Sequence, residues 1–239
     1  KYFRSTHKRL HLFIFLLGIL TSLGWSPPWN RQKIVLFDKN EDPALIHKHF
    51  MSLALEEAKL AARRGEVPIG AILVQNNQLL IPPNILRRHH HQNILVYQIL
   101  AQAGNRVECD WDASAHAELQ VLRRASRRVQ NWRLGTNTTL YSTLEPCPMC
   151  LAACQAFRIS TLVYGAPDLR LGAVETHIRL LDVKHPYHNI SNVISGVMSN
   201  ESSVLLRSFF QKRRQNPPNG IPQQRWMLPI RRFQKKRHF

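Results

Sequence analysis

A layered α/β domain is what this sequence predicts, and three observations carry the expectation. Apolar residues recur at helical spacing between Asp42 and Gly65. Val67 to Val74 is a near-continuous apolar run of the kind that forms a strand buried on both faces. From Ala115 onward, helical and strand-like segments alternate, which is the pattern of helices layered on a sheet. The chain has 239 residues, 44% of them hydrophobic, enough for one domain with extensions but short for two. Ten glycines and 14 prolines without a repeat period exclude a collagen-like or low-complexity chain.

Lys1 to Trp29 carries a basic start (Lys1, Arg4, Lys8, Arg9), an apolar run from Leu10 to Leu20, and the helix stop Pro27-Pro28. That order suits a targeting signal, and the run is too short for a comfortable bilayer span. No membrane span is therefore expected in the mature protein. The first residue is Lys1 rather than Met, as expected of an incomplete or processed N-terminus. Residues 30–43 read as a linker. Asp42-Pro43 opens a helix with an N-cap and a proline at the first helical position, and Gly65 closes it. The strand Val67–Val74 comes next, with Asn76-Asn77 suited to a hairpin turn. Residues 79–98 interrupt the pattern with Pro82-Pro83, Arg87-Arg88 and His89-His90-His91, and regular structure is expected to resume near Ile99. Nothing near the three histidines fixes a metal geometry, so they read as a solvated loop. His116–Ala125 and Cys147–Phe157 are predicted helices, Thr138–Leu144 and Thr161–Gly165 strands, and Ser202–Arg214 an amphipathic helix.

Thirty-three Lys and Arg against 15 Asp and Glu leave a net charge of +18. Such an excess predicts a polyanionic partner, nucleic acid or an anionic membrane surface. Ten of the basic residues, and no acidic one, lie between Ser202 and Phe239. Four cysteines do not make a disulfide scaffold in a chain of this length. Three of them, Cys147, Cys150 and Cys154, fall in one short stretch, which suggests a metal site instead.

The chemistry concentrates in His116-Ala117-Glu118 and, about thirty residues later, Pro146-Cys147-Pro148-Met149-Cys150. Two cysteines spaced C-x-x-C at a helix start can turn both sulfurs to one point, and the helix N-terminus favours their thiolate forms. With His116 they make three ligands for a tetrahedral zinc, whose fourth position stays open to water. Glu118 is placed to move protons beside that position rather than to ligate. The combination is the signature of zinc-dependent nucleobase deaminases. A closed structural zinc would need Cys154 or Cys109 as a fourth ligand; both read instead as ordinary thiols.

With these residues the chain resembles the tRNA adenosine deaminases of bacterial and organellar type, in the cytidine deaminase superfamily. The resemblance spans about Phe50 to Arg214. It also rests on Met51–Lys59, Glu66–Ala71, Asn131-Trp132-Arg133-Leu134, Tyr141–Glu145, Val163–Asp168 and Phe209–Arg214. It implies a three-layer α/β/α fold with a five-stranded mixed sheet, a homodimer, and hydrolysis of adenosine to inosine at the wobble position of a tRNA. It also implies one zinc per subunit on His116, Cys147 and Cys150, with Glu118 as proton shuttle. Asn105 matches the asparagine that hydrogen-bonds the target base, Ile69 the apolar wall of the pocket, and Asp168 a position contacting the ribose-phosphate chain.

The implied domain occupies residues 44–214, interrupted by the insertion at 79–98 and followed by a basic tail, 215–239. Phosphate contacts are expected from Lys212, Arg213 and Arg214 on the last helix. A signal-like start on such a chain fits delivery to an organelle, plastid or mitochondrion, with the cytoplasm as the alternative. Two rival readings stay open: a zinc deaminase of a free base or nucleotide, and a non-catalytic RNA-binding subunit with a vestigial zinc site.

Overall fold

The computed structural model describes residues 33–76, 94–135, 137–186 and 188–215. Its elements in chain order are β1 (Lys33–Asp38), α1 (Pro43–Arg63), β2 (Gly70–Asn76), β3 (Ile94–Gly104), α2 (Val107–Asp110), α3 (Ala117–Val129), β4 (Thr138–Leu144), α4 (Pro148–Ala156), β5 (Thr161–Ala166), β6 (Asn192–Ile194) and α5 (Ser199–Gln215). A 3₁₀ turn, Leu180–Asp182, precedes β6. The six strands form one mixed sheet in the order β1-β3-β2-β4-β5-β6. β1, β3, β2 and β4 pair antiparallel; β4, β5 and β6 pair parallel.

Alternation along β2 explains its unbroken apolar run. Ala71 and Leu73 face a core with Val121, Leu122 and Ala125 of α3 and with Leu151 and Cys154 of α4. Ile72 and Val74 face the other core, with Ile46, Phe50, Met51 and Ala54 of α1. Both faces are covered, so neither set of side chains is polar. α1 starts where the sequence says: Pro43 opens it, and Asp42 Oδ1 accepts a 2.9 Å hydrogen bond from the Ala44 amide. It then lies so close to the sheet that a Cβ on Gly70 would collide with the backbone of Ala54 and Ala58. α5 crosses the same face as α1, with Ser202 against Gly165. The three expected layers are therefore present.

The expected five strands are six, and the additional one lies in the expected linker. Lys33–Asp38 pairs antiparallel with β3 from Lys33↔Ile99 to Asp38↔Ile94. Ile34, Val35 and Phe37 are only partly exposed there, and Phe37 meets Phe50 and Tyr97 edge-on, both at 5.8 Å. Burying those residues outweighs leaving a short segment free as a linker. The far end of the expected insertion is also strand. β3 begins at Ile94 rather than near Ile99, because Ile94–Gln98 are claimed on one side by β1. The buried strand expected at Val67–Val74 runs later, Gly70–Asn76, and the last helix begins earlier than expected, at Ser199. The targeting segment 1–29, the His89–His91 run and the tail from residue 216 lie outside the described residues.

β1 is predicted to contribute to stability rather than merely decorate the edge. Phe37→Ala should cost about 2 kcal/mol in urea unfolding, less than a fully buried phenylalanine because Phe37 is half-buried. An unchanged midpoint would show that the strand's packing carries no free energy.

Candidate active site

Two helix N-termini converge on one point. His116 is the extended N-cap residue of α3, and Cys147 is the extended N-cap residue of α4. Proline at the first position of α4 preorganises its opening turn, and Cys150 sits within that turn. His116 Nδ1 lies 3.6 Å from Cys147 Sγ and 3.5 Å from Cys150 Sγ, and all three ligand atoms fall within 4.8 Å of one another. With Zn–S and Zn–N bonds of ordinary length, a tetrahedral site has an N···S edge of about 3.6 Å. The residues present thus fit a zinc ion. A fourth protein ligand is missing from the group among the described residues. Cys154 is fully buried in the apolar core, and Cys109 is exposed on α2. That geometry disfavours the closed structural site.

The two thiols share a single thiolate between them. Hydrogen bonds from Cys150 and His116 pull the Cys147 thiol down to about 4. Its bond to Cys147, with burial, pushes Cys150 up, so one thiolate is held by Cys147 and shared with its neighbours.

Glu118 is 3% exposed, the second residue of α3. Its Oε1 accepts a 2.9 Å hydrogen bond from the Ser142 hydroxyl, and its Oε2 lies 3.5 Å from Cys150 Sγ. Burial raises its pKa, an effect that His116 and Ser142 oppose without cancelling. A carboxyl poised toward its protonated form beside the ligand group can both take and give a proton.

Asn105 is 4% exposed and cross-braces three segments. Its amide donates to the Ile69 carbonyl (3.0 Å), its Oδ1 accepts from the Ala117 amide (3.2 Å), and its carbonyl accepts from Arg64 Nη2 (3.3 Å). With Oδ1 committed to the start of α3, the side-chain amide nitrogen is the end offered to a ligand. Asn105, Ile69, His116, Glu118, Cys147 and Asp168 all line one cavity of about 950 Å³. α5 walls it with Leu206, Arg207, Phe210 and Arg214.

Of the three basic residues expected at the substrate, only Arg214 lines the cavity. Lys212 does not reach it, and Arg213 turns away: its Nη2 donates to the Gly65 carbonyl at 3.1 Å while its guanidinium lies over Phe209. Helical periodicity explains the split, since Arg207, Phe210 and Arg214 share one face of α5. Asp168 is at the rim, but its Oδ1 accepts from the amides of Arg170 and Leu171 (3.0 and 3.3 Å), so it first shapes its own turn.

Glu145 is a cavity-lining residue that sequence reasoning passed over, although it directly precedes the Pro-Cys motif. It is 2% exposed and accepts from five donors: the amides of Asp168, Val174, Glu175 and Thr176 and the Thr176 hydroxyl, at 2.7–3.1 Å. Its carboxylate therefore holds the loop whose residues 168–171 form the cavity rim. A Cβ on Gly172 would strike this carboxylate, so the loop passes it only as glycine. No periodicity or spacing could have revealed the role, because the donors lie 23 to 31 residues away along the chain.

Burial raises the Glu145 pKa, but the loop hydrogen bonds outweigh it and hold the group below the usual carboxylate range. A carboxylate depressed in the folded state stabilises above its unfolded pKa, and that contribution is lost as pH falls through the folded value. Glu145→Gln should cost about 2 kcal/mol near pH 7. The gap from the unaltered chain should shrink as unfolding is measured below about pH 4. A gap independent of pH would contradict the ionised clamp.

Comparisons with known proteins agree with this geometry. A family model described as MafB19-like deaminase matches residues 46–214. The tRNA-specific adenosine deaminase of Agrobacterium fabrum is 40% identical over 166 residues, covering 70% of this chain and 95% of that protein. The chloroplastic tRNA(adenine(34)) deaminase of Arabidopsis thaliana is 37% identical over 70% of this chain, which spans 12% of that much longer protein. A solved structure from work on A-to-I editing by tRNA:A34 deaminases superposes with a TM-score of 0.55 at 39% identity, covering 66% of this chain and 99% of that one. The guanine deaminase of Nitrosomonas europaea, at 18% identity and a TM-score of 0.54, shares the fold. By its matched residues and its site, the chain belongs to the family of tRNA-specific adenosine deaminases.

Proposed function

We propose that this protein hydrolyses adenosine to inosine at the wobble position of a tRNA anticodon. The observation that carries the reading is the His116–Cys147–Cys150 triangle with tetrahedral edge lengths and a buried carboxyl beside it, at the base of a cavity walled by arginines of α5. A zinc ion on that triangle, one per chain, would supply Lewis-acid activation of water.

The chain's own residues do the rest. Ser142 fixes Glu118 Oε1, which leaves Oε2 as the atom that moves protons. It takes one proton from the attacking water and gives it to the purine N1, then takes the second from the hydroxyl now on C6 and gives it to the amino group, which departs as ammonia. The base must leave its stack to reach this depth, and Asn105 and Ile69 then meet it in the cavity. Arg207 and Arg214 at the wall offer guanidinium donors to the phosphates flanking the flipped nucleotide.

A homodimer, as the resemblance implies, and delivery to an organelle by residues 1–29 complete the proposal; the chloroplastic relative supports the latter. Among the described residues no helix is long and apolar enough to cross a membrane.

The deciding test is Glu118→Gln on anticodon stem-loops bearing adenosine at the first anticodon position, with free adenosine, cytidine and guanine alongside. The unaltered chain should form inosine in the RNA alone and hold about one zinc per chain. The variant should keep its zinc and lose about 10²–10⁴ in single-turnover rate. Turnover of a free base in preference to RNA would overturn the substrate assignment, and undiminished turnover would overturn the role of Glu118.

A further inference from the structure

α3 carries a charge pattern that the active site does not use. Between Leu119 and Leu144 the chain has five arginines, Arg123, Arg124, Arg127, Arg128 and Arg133, and no acidic residue. At 100° per residue the four arginines on α3 fall within an arc of about 140°, the solvent face of the helix. The opposite face, with Leu119, Val121, Leu122 and Ala125, is buried. Arg123–Arg127 and Arg124–Arg128 are like-charge pairs at i,i+4, an arrangement that opposes folding. Some of these side chains have structural duties. Arg123 reaches Asp112 (3.7 Å), Arg124 donates to the Gln102 carbonyl (2.9 Å), and Arg128 donates to the carbonyls of Ile99 and Leu100. The helix dipole favours cations in the last turn, which accounts for the sign of Arg127 and Arg128 there.

Neither explanation covers the loop beyond the helix. Trp132 is 49% exposed on that loop, with the guanidinium of Arg133 at 4.0 Å from its ring and that of Arg158 at 5.7 Å. The loop is anchored rather than loose. The Asn131 amide donates to the Ser126 carbonyl, Asn131 Oδ1 accepts from the Arg133 amide, and the Leu134 amide donates to the Phe157 carbonyl, all at 3.0–3.1 Å. An exposed indole flanked by two guanidiniums, continuous with an arginine helix face, fits a polyanion that also offers flat rings.

We propose that this face, from Arg123 to Arg133 with Trp132 and Arg158, is a second RNA contact surface that holds the phosphodiester backbone of the substrate beyond the anticodon loop. The proposal rests on the tRNA reading above. Glu118 places the start of α3 at the cavity, and Arg128, ten residues on, lies about 15 Å further along the helix axis. RNA must therefore extend well past the target nucleotide to touch this face. The surface would discriminate a whole tRNA from a bare anticodon loop by affinity rather than by chemistry.

The test compares the unaltered chain with the triple variant Arg127→Gln, Trp132→Leu, Arg133→Gln. None of these residues lines the cavity. The probes are an in-vitro transcribed tRNA with an adenosine-first anticodon and its isolated seven-nucleotide loop, each at two salt concentrations. The variant should bind the tRNA about tenfold more weakly with a salt slope lower by about two, and bind the loop as before. Its single-turnover rate on saturating tRNA should be unchanged. Equal loss on both RNAs, no loss on either, or a change in sedimentation showing that the face joins two copies of the chain would each overturn the proposal. Inosine is scored in the same mixtures. Its absence with the unaltered chain would overturn the deaminase reading, while the affinity comparison would still decide the surface.

Discussion

Two helices start with side chains that meet within 4.8 Å, and most of the molecule is arranged to hold them there. The amides at a helix start lack intrahelical partners and carry a partial positive charge. Placing two such starts around one point offsets part of the cost of burying anionic groups together: Cys147 is held low, while Cys150 and Glu118 are still pushed up. His116 and Cys147 occupy the two N-cap positions with extended backbone, so neither side chain strains its helix. The parallel unit β4–α4–β5 and the buried face of α3 fix the helices to the sheet. Shifting either helix by one residue would rotate its N-terminal side chain away from that point by about 100°.

The surroundings of that point are built mainly from backbone hydrogen bonds to side-chain oxygens. Asn105 ties the end of β3 to the start of α3 and to Ile69. Glu145, at the end of β4, gathers a loop that returns from beyond β5. Each is almost fully buried and polar, a condition stable only when the hydrogen bonds are made. The cavity wall is therefore specified by satisfied polar groups, while the two apolar clusters on either side of the sheet set only the depth at which it sits.

The sequence was informative where chemistry is local. The His-Ala-Glu and Pro-Cys-Pro-Met-Cys segments show residue types and spacing suited to a metal directly, and the helix signals at Asp42-Pro43 and Gly65 are short-range rules the backbone obeys. What escaped is what depends on pairing across distance. Lys33–Asp38 reads as a linker until β3 offers it an edge, and the strand character of Ile94–Gln98 needs that same partner. The five donors of Glu145 come together only once β4 and β5 are parallel neighbours. On α5 the composition was legible but the rotation was not, which is why Arg214 meets the cavity and Arg213 meets Gly65.

The polarity of the β2–β3 hairpin has a practical consequence. At one end, Gly70 pairs with Gly104, next to Ile69 and Asn105 in the cavity. At the other, Asn76 pairs with Tyr97, so the chain leaves and re-enters the sheet about 20 Å from the chemistry. Whatever length evolution places between Asn76 and Ile94 is attached at the blunt end of the hairpin. The ladder of paired residues between the two ends insulates the working end from it. The same junction is a port for a protein engineer, where a fluorophore or affinity handle could be carried without trespassing on the catalytic end.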